Sequence, residues 1–211
     1  MEPEFAKLPA EKRRRILQSA MEEFARSDYK SANTEIIAAR AQISKGALFY
    51  YFKNKKSLYM ALIRHAGALI EKEMQLSPAA EGEDLFDYLD RLVDKKVAVL
   101  EKYPALVQFS VRVFYSGGTQ VSPAIDRFLL RYTDTLFDRY LSRVDTSRYR
   151  AGFTPRRAID LLMYLTDGYM HAQLMAGRPA DMRELYRQYR VWQAMVRDFV
   201  YKKEEPKEGA V

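Results

Sequence analysis

Two groups of residues in this 211-residue chain have types and spacings suited to chemistry. The first is Asp167 with His171, four apart on a helical pattern, with Tyr164 three residues ahead. A carboxylate placed there could orient the imidazole as an acid/base pair. Catalysis also needs a nucleophile or a metal. The chain has no cysteine, one other histidine at position 65, no Gly-x-Ser-x-Gly and no phosphate loop. An enzyme using Asp167 and His171 is therefore carried only as an alternative. The same three residues share a helix face and could instead orient a bound ligand, or make solvent-facing or interface hydrogen bonds. The second group is the stretch Ser44 to Leu58, which sets lysines and tyrosines side by side.

In that stretch Ser44 can cap a short helix over 45–52, its hydroxyl accepting from a first-turn N–H. Leu48 and Phe52 are four apart and share one face; Lys45, Phe49, Tyr50 and Tyr51 occupy the rest. A helix this short does not stand alone in water. It must be pinned through Leu48 and Phe52, leaving aromatics and cations outward beside Lys53, Lys55 and Lys56. Such a surface suits a phosphate backbone and base edges: hydroxyls and ammonium groups reach phosphates, and Ala47 or an aromatic ring can touch a thymine methyl. The competing structural reading is a small aromatic core with a solvated lysine face.

The elements that must position this helix lie just upstream. Asn33 can cap a helix over 34–41, with Ile37 and Ala41 on one side and Ala38 small enough to admit a crossing helix. Gln42, Ile43 and Ser44 form the turn of a helix-turn-helix, with Ile43 buried between the two helices. Ahead of it, Ile16, Ala20 and Phe24 recur every four residues, widened by Leu17 and Met21, and predict a helix over 10–27. The run Lys12-Arg13-Arg14-Arg15 puts positive charge at that helix's start, against its dipole, as a phosphate-holding surface or a solvated charge run would.

With these residues in place, positions 12–58 resemble the N-terminal domain of the tetracycline-repressor (TetR/AcrR) family of transcriptional regulators. The resemblance rests on Ile16-Leu17, Ala20 and Phe24, on Ile37-Ala38, on Ala41 through Phe52, and on Lys55 and Leu58. It implies that Thr34, Lys45, Tyr50, Tyr51 and Lys55 contact phosphates, and that Lys45, Gly46 and Phe49 face the bases of a major groove. With Ser44 and Ala47 these residues make up the candidate duplex-contacting set. Three positions depart from the family pattern. Asp28 and Gln42 stand where glycine is usual, so the turn at Gln42 is expected to be slightly altered. Phe49 replaces a common tyrosine and lacks its hydroxyl.

Charge agrees with an anionic partner. The formal net charge is +7, and residues 1–60 carry 12 Lys and Arg against 7 Asp and Glu. The absence of cysteine permits a reducing compartment. The first residues lack a signal-peptide layout, and no apolar run approaches transmembrane length. A cytoplasmic protein with no membrane association is expected.

Beyond the head, residues 1–10 read as a loose lead-in. Further helices are predicted over 54–75, 84–102, 105–115, 123–144, 155–176 and 181–201, with a linker over 77–83. The two Ser/Thr-Pro starts, Ser122-Pro123 and Thr154-Pro155, are capping signals. The expected fold is all-α, about nine helices. An N-terminal three-helix bundle with the helix-turn-helix occupies residues 1–53, a larger helical domain for ligand binding and dimerisation residues 54–202, and a disordered tail residues 203–211.

The last two long helices are too apolar for one protein layer to cover. Ile159, Met163 and Met170 on the first, and Tyr189, Trp192, Met195 and Phe199 on the second, are the candidate dimer surface; the resemblance implies a four-helix bundle with a two-fold copy. Aromatics between the fourth helix and this pair suit either the core or an apolar cavity. Candidate ligand contacts are Phe109, Arg112, Tyr140, Tyr164, Asp167 and His171. The function these features imply is that of a homodimeric regulator, expected to repress. It binds a near-palindromic double-stranded DNA operator and is released by a small-molecule effector, without cofactor or metal. The alternative is a DNA-binding helical protein without small-molecule control.

Overall fold

The recurrence of Ile16, Ala20 and Phe24 becomes the buried stripe of a helix in the computed structural model, which describes residues 3–115, 131, 134–135, 137–178 and 181–203. The helices are α1 Pro3–Ala6, α2 Ala10–Arg26, α3 Thr34–Arg40, α4 Lys45–Phe52, α5 Lys55–Glu73, α6 Leu85–Lys102, α7 Pro104–Tyr115, α8 Pro155–Met175 and α9 Met182–Val200. Residues 137–141 are also helical. Most of the helix expected over 123–144, and the tail beyond residue 203, lie outside the described residues. Among the described residues no strand forms; Tyr149 and Tyr201 share a single antiparallel bridge. The fold is all-α.

The chain divides into two compact units, Met1–Leu76 with Leu92–Tyr132, and Ser77–Arg91 with Thr133–Val211. A boundary after residue 53 does not coincide with this division: α5 and α7 join the N-terminal helices, and the chain passes from one unit to the other within α6.

In the first unit, Ile16, Ala20 and Phe24 of α2 meet Ile37 and Ala38 of α3, Leu48 and Phe52 of α4, Leu58 and Leu62 of α5, and Leu106 and Phe109 of α7 in one apolar core. The lead-in is not loose. Residues 3–6 form α1, and the Phe5 side chain is 0% exposed, its ring 4.7 Å from Phe52 and 6.2 Å from Tyr51. Arg13 holds this segment from below, donating to the carbonyls of Ala6 and Leu8. One of the run of four cations is thus spent on the fold rather than left for phosphate.

The turn at Gln42 keeps its left-handed geometry without glycine. Gln42 has φ +58°, its N–H donates to Ala39 O at 3.0 Å, and the Ile43 N–H donates to Ala38 O at 3.0 Å. This is the paired bonding of a Schellman C-cap, and an L residue in it is strained where glycine is not. Glycine stands at the corresponding place after α8, where Gly177 has φ +65°. Gln42→Gly is therefore expected to raise the unfolding free energy by about 1 kcal/mol, read as a shifted midpoint in urea at unchanged slope. Asp28 needs no such geometry. Its carboxylate accepts from the Ser31 N–H at 2.7 Å and from the Ser31 hydroxyl at 2.6 Å, closing a local turn.

In the second unit α8 packs on α9, and Ala158, Leu162 and Met170 of the first and Leu185 and Val196 of the second are buried. Gln193 lies buried and donates to Phe86 O and Asp90 Oδ1, tying α9 to the start of α6. Thr154 caps α8 through the Arg157 N–H, and Asp181 caps α9 through two. The outer faces of the pair are apolar. Leu161, Met163, Tyr164, Leu165 and Met175 on α8, and Val191, Met195 and Phe199 on α9, are exposed in the single chain. Of the candidate dimer residues, Met163, Met195 and Phe199 lie on that face. Ile159, Tyr189 and Trp192 are half-buried, Trp192 edge-on to Tyr169. Met170 is 0% exposed and belongs to the core. Met163 and Met170 are seven residues apart and lie on nearly the same side of α8, so their different burial reflects position along the helix and not a choice of face.

Candidate nucleic-acid interface

The short helix α4 is held from four sides. Leu48 and Phe52 are fully buried, Phe5 underlies its last turn, and Ser44 caps it by accepting from the Ala47 N–H at 3.0 Å. At its end Lys53 has φ +61° and ψ −45°, and the Asn54 N–H donates back to Phe52 O at 2.6 Å. That is a γ-turn, strained for a lysine. It ends α4 abruptly enough for Asn54 to cap α5 by accepting from the Ser57 N–H at 2.8 Å. Strain of this kind persists where the surroundings over-determine it.

The opposite face is open. Ser44, Lys45, Gly46 and Tyr50 are exposed, Tyr50 to 67%, while Ala47, Phe49 and Tyr51 are partly covered. Tyr50 and Tyr51 meet edge to face at 5.5 Å, and the Lys12 ammonium lies 5.9 Å from the Tyr51 ring centre. Thr34 is half-buried in the first turn of α3, which Asn33 caps by accepting from the Glu35 N–H at 2.8 Å. Glu23, buried on α2, accepts from the Asn33 N–H at 3.0 Å and pairs with Arg40 at 3.3 Å, so one carboxylate fixes both ends of α3 against α2. Its role was not evident in sequence, where it reads as one more acid on an amphipathic helix.

Two of the candidate cations already have protein partners. Lys45 Nζ donates to Glu35 Oε1 at 2.8 Å, and this bond holds the Glu35 carboxyl below its ordinary range. Lys55 Nζ donates to Lys30 O at 3.0 Å and lies 5.4 Å from the Tyr29 ring centre; burial moves its pKa downward. Behind Lys55 runs a column of rings. Tyr29 is 5.0 Å from Tyr59, and Tyr59 is 4.9 Å from Phe24 and 5.6 Å from Phe109. Burial pushes the Tyr59 hydroxyl up to about 12.

The candidate ligand residues are divided between the two units. Phe109 is 1% exposed and belongs to this ring column in the first unit. Arg112 donates to Ala25 O at 2.6 Å and Arg26 O at 3.1 Å, closing the last carbonyls of α2 from α7. In the second unit Tyr140 is half-buried, while Tyr164, Asp167 and His171 are exposed along α8. No helix among the described residues is long and apolar enough to cross a membrane.

Residues 16–62, from α2 into α5, match the model of the tetR family of bacterial regulatory proteins. The HTH-type transcriptional repressor KstR of Mycobacterium tuberculosis is 24% identical over 132 residues, which are 63% of this chain and 59% of that protein. The HTH-type transcriptional repressor SCO4008 of Streptomyces coelicolor is 30% identical over 115 residues, 53% of each. The chain thus spans little more than half the length of these curated relatives. The solved structure of SmeT, the repressor of the Stenotrophomonas maltophilia multidrug efflux pump SmeDEF, has the same fold, with TM-score 0.67 and 19% identity over 94% of this chain and 93% of that one. None of these is an enzyme by its name, and the helix-turn-helix described above is the part that the family model covers. Residues 16–62 thus carry the helix-turn-helix head of the tetR family of bacterial regulatory proteins, and the chain as a whole shares the fold of SmeT.

Proposed function

We propose that the chain is a repressor that binds an operator duplex as a homodimer, through α3 and α4, and is released by a small molecule taken up in its C-terminal helical body. The observation that carries this reading is the two-sidedness of α4: an apolar face locked by Leu48, Phe52 and Phe5, and an open face of Lys45, Gly46 and Tyr50. A rigid helix with cations and a phenol outward fits a major groove. One such helix reads few base pairs, whereas two set about 34 Å apart read successive turns. The eight exposed apolar side chains of α8 and α9 support the pairing, since apolar patches of that extent mark association surfaces.

Three details of the reading follow from the contacts. Lys55 reaches a phosphate only with the ammonium hydrogens not already donated to Lys30 O, so it contributes less than Tyr50. Phe109 and Arg112 serve better as coupling than as ligand contacts, because they tie α7 to α2 and to the rings behind Lys55. Tyr164, Asp167 and His171, on the exposed face of α8, serve better at the interface between subunits than in an enclosed pocket. The protein acts where DNA is, in the cytoplasm.

Operator sites selected from random duplexes provide the test. Tyr50→Ala is expected to weaken binding to all sequences by roughly tenfold, while Phe49→Ala changes the selected sequence more than the affinity. Unchanged binding in both variants would exclude α4 as the reading helix. The runner-up, duplex binding without small-molecule control, is separated by thermal shift. Saturable stabilisation following ligand concentration is expected of a real pocket, and none of a bare DNA-binding body.

A further inference from the structure

The ion pair between Glu35 and Lys45 joins the first turn of α3 to the first turn of α4 across the helix-turn-helix. Its side chains are 66% and 53% exposed. An exposed pair of this kind contributes little to stability. Its cost appears when a duplex arrives. Phosphates compete for Lys45, and the carboxylate that loses it is left in a strongly negative field. A carboxylate there needs an amino group on a major-groove edge; cytosine's N4 amine is the better partner, since adenine's N6 amine lies beside the N7 acceptor of the same base, which repels a carboxylate. The backbone that carries Glu35 is held, because its N–H donates to the Asn33 cap and the start of its helix is anchored by Glu23, so the carboxylate is presented from a fixed point on α3.

We propose that Glu35 is a specificity-determining residue: it holds Lys45 back from phosphate on arbitrary sequence and yields it where a cytosine amine takes the carboxylate in exchange. The inference rests on the duplex-binding reading given above and adds to it a device that weakens binding to the wrong sites. Discrimination is a difference of affinities, and a charge that repels non-cognate duplex contributes to it as effectively as a contact that favours the operator.

The experiment compares the full chain with Glu35→Gln, which keeps shape and removes charge, on a random-sequence duplex by fluorescence anisotropy over a series of salt concentrations. Freeing one lysine per subunit is expected to steepen the slope of log affinity against log salt by about 0.9 for each phosphate newly neutralised, and to tighten random-duplex binding at low salt roughly fivefold. Sites selected by Glu35→Gln are expected to lose a cytosine at one position of each half-site and to keep the remainder. In a Lys45→Met background the same substitution is expected to leave the salt slope where it was.

An unchanged slope and an unchanged selected sequence in Glu35→Gln overturn the inference while leaving duplex binding intact. So does an equal steepening in the Lys45→Met background, since the effect then does not pass through Lys45. A native chain that binds no duplex under any salt condition overturns the underlying reading, and this one with it.

Discussion

Replacing Phe5 by alanine lowers the unfolding free energy of the N-terminal unit by about 3 kcal/mol and weakens duplex binding at the same time. The expectation comes from where the ring sits. Phe5 is fully buried, 4.7 Å from Phe52 and 6.2 Å from Tyr51, and the four-residue helix that carries it has no other buried side chain. Its removal leaves a void under the last turn of α4 that a short segment tethered by Arg13 cannot close. An eight-residue helix has little stability of its own, so its orientation depends on what it rests on. Loss of one of its supports is expected to cost roughly tenfold in affinity for the selected operator, since small displacements of a reading helix spoil several contacts together. Phe5→Leu keeps an apolar side chain there and is expected to lose less than about 1.5 kcal/mol. Urea unfolding followed by circular dichroism, with anisotropy on the operator duplex, reads both effects. An Ala variant with the native midpoint would show the segment to be dispensable.

Phe5 also marks the limit of what the sequence discloses. Helices with a repeating stripe were legible from it: Ile16, Ala20 and Phe24 on α2, and Leu48 with Phe52 on α4, are buried as their spacing requires. Caps were equally legible, and Asn33, Ser44 and Thr154 all accept the N–H bonds that their positions imply. These are local effects, decided within a turn of helix. A single aromatic between Pro3 and Pro9 has no period, so nothing in its neighbours tells that it folds back onto α4.

The site was half legible for the same reason. Exposure of Lys45, Gly46 and Tyr50 follows from the helix wheel, but the partners of the cations do not. Glu35 lies ten residues from Lys45, and the Lys30 carbonyl twenty-five from Lys55. Arg112 reads as a candidate anion ligand, and its bonds to carbonyls 87 and 86 residues away, at the end of α2, are beyond the reach of local spacing. Met163 and Met170 are chemically alike and share one side of α8, yet one is exposed and the other buried. Gln42 shows a subtler case. Its departure from glycine was visible, yet the turn holds, because the two C-cap hydrogen bonds and a buried neighbouring core outweigh the strain of one left-handed residue.

The larger effect on function is expected at the other end of the chain, where Met195→Glu combined with Phe199→Glu is predicted to convert a dimer to a monomer at micromolar concentration. Met195 is 63% exposed and Phe199 58%, so neither carboxylate disturbs the core of a single chain, and helix content should stand. In a two-fold interface each substitution appears twice, which brings four carboxylates into an apolar contact. Each buried charge without a partner costs several kcal/mol, more than an association of ordinary strength can absorb. Sedimentation velocity reads the mass directly. Operator affinity is expected to fall at least a hundredfold, because two linked reading heads gain an effective concentration that one head lacks. Met170→Ala separates this from simple damage: its side chain is buried, so it should lower the melting point without changing the sedimentation coefficient at low temperature. A double variant that still sediments as a dimer would place the subunit contact elsewhere and leave the apolar faces of α8 and α9 without a partner.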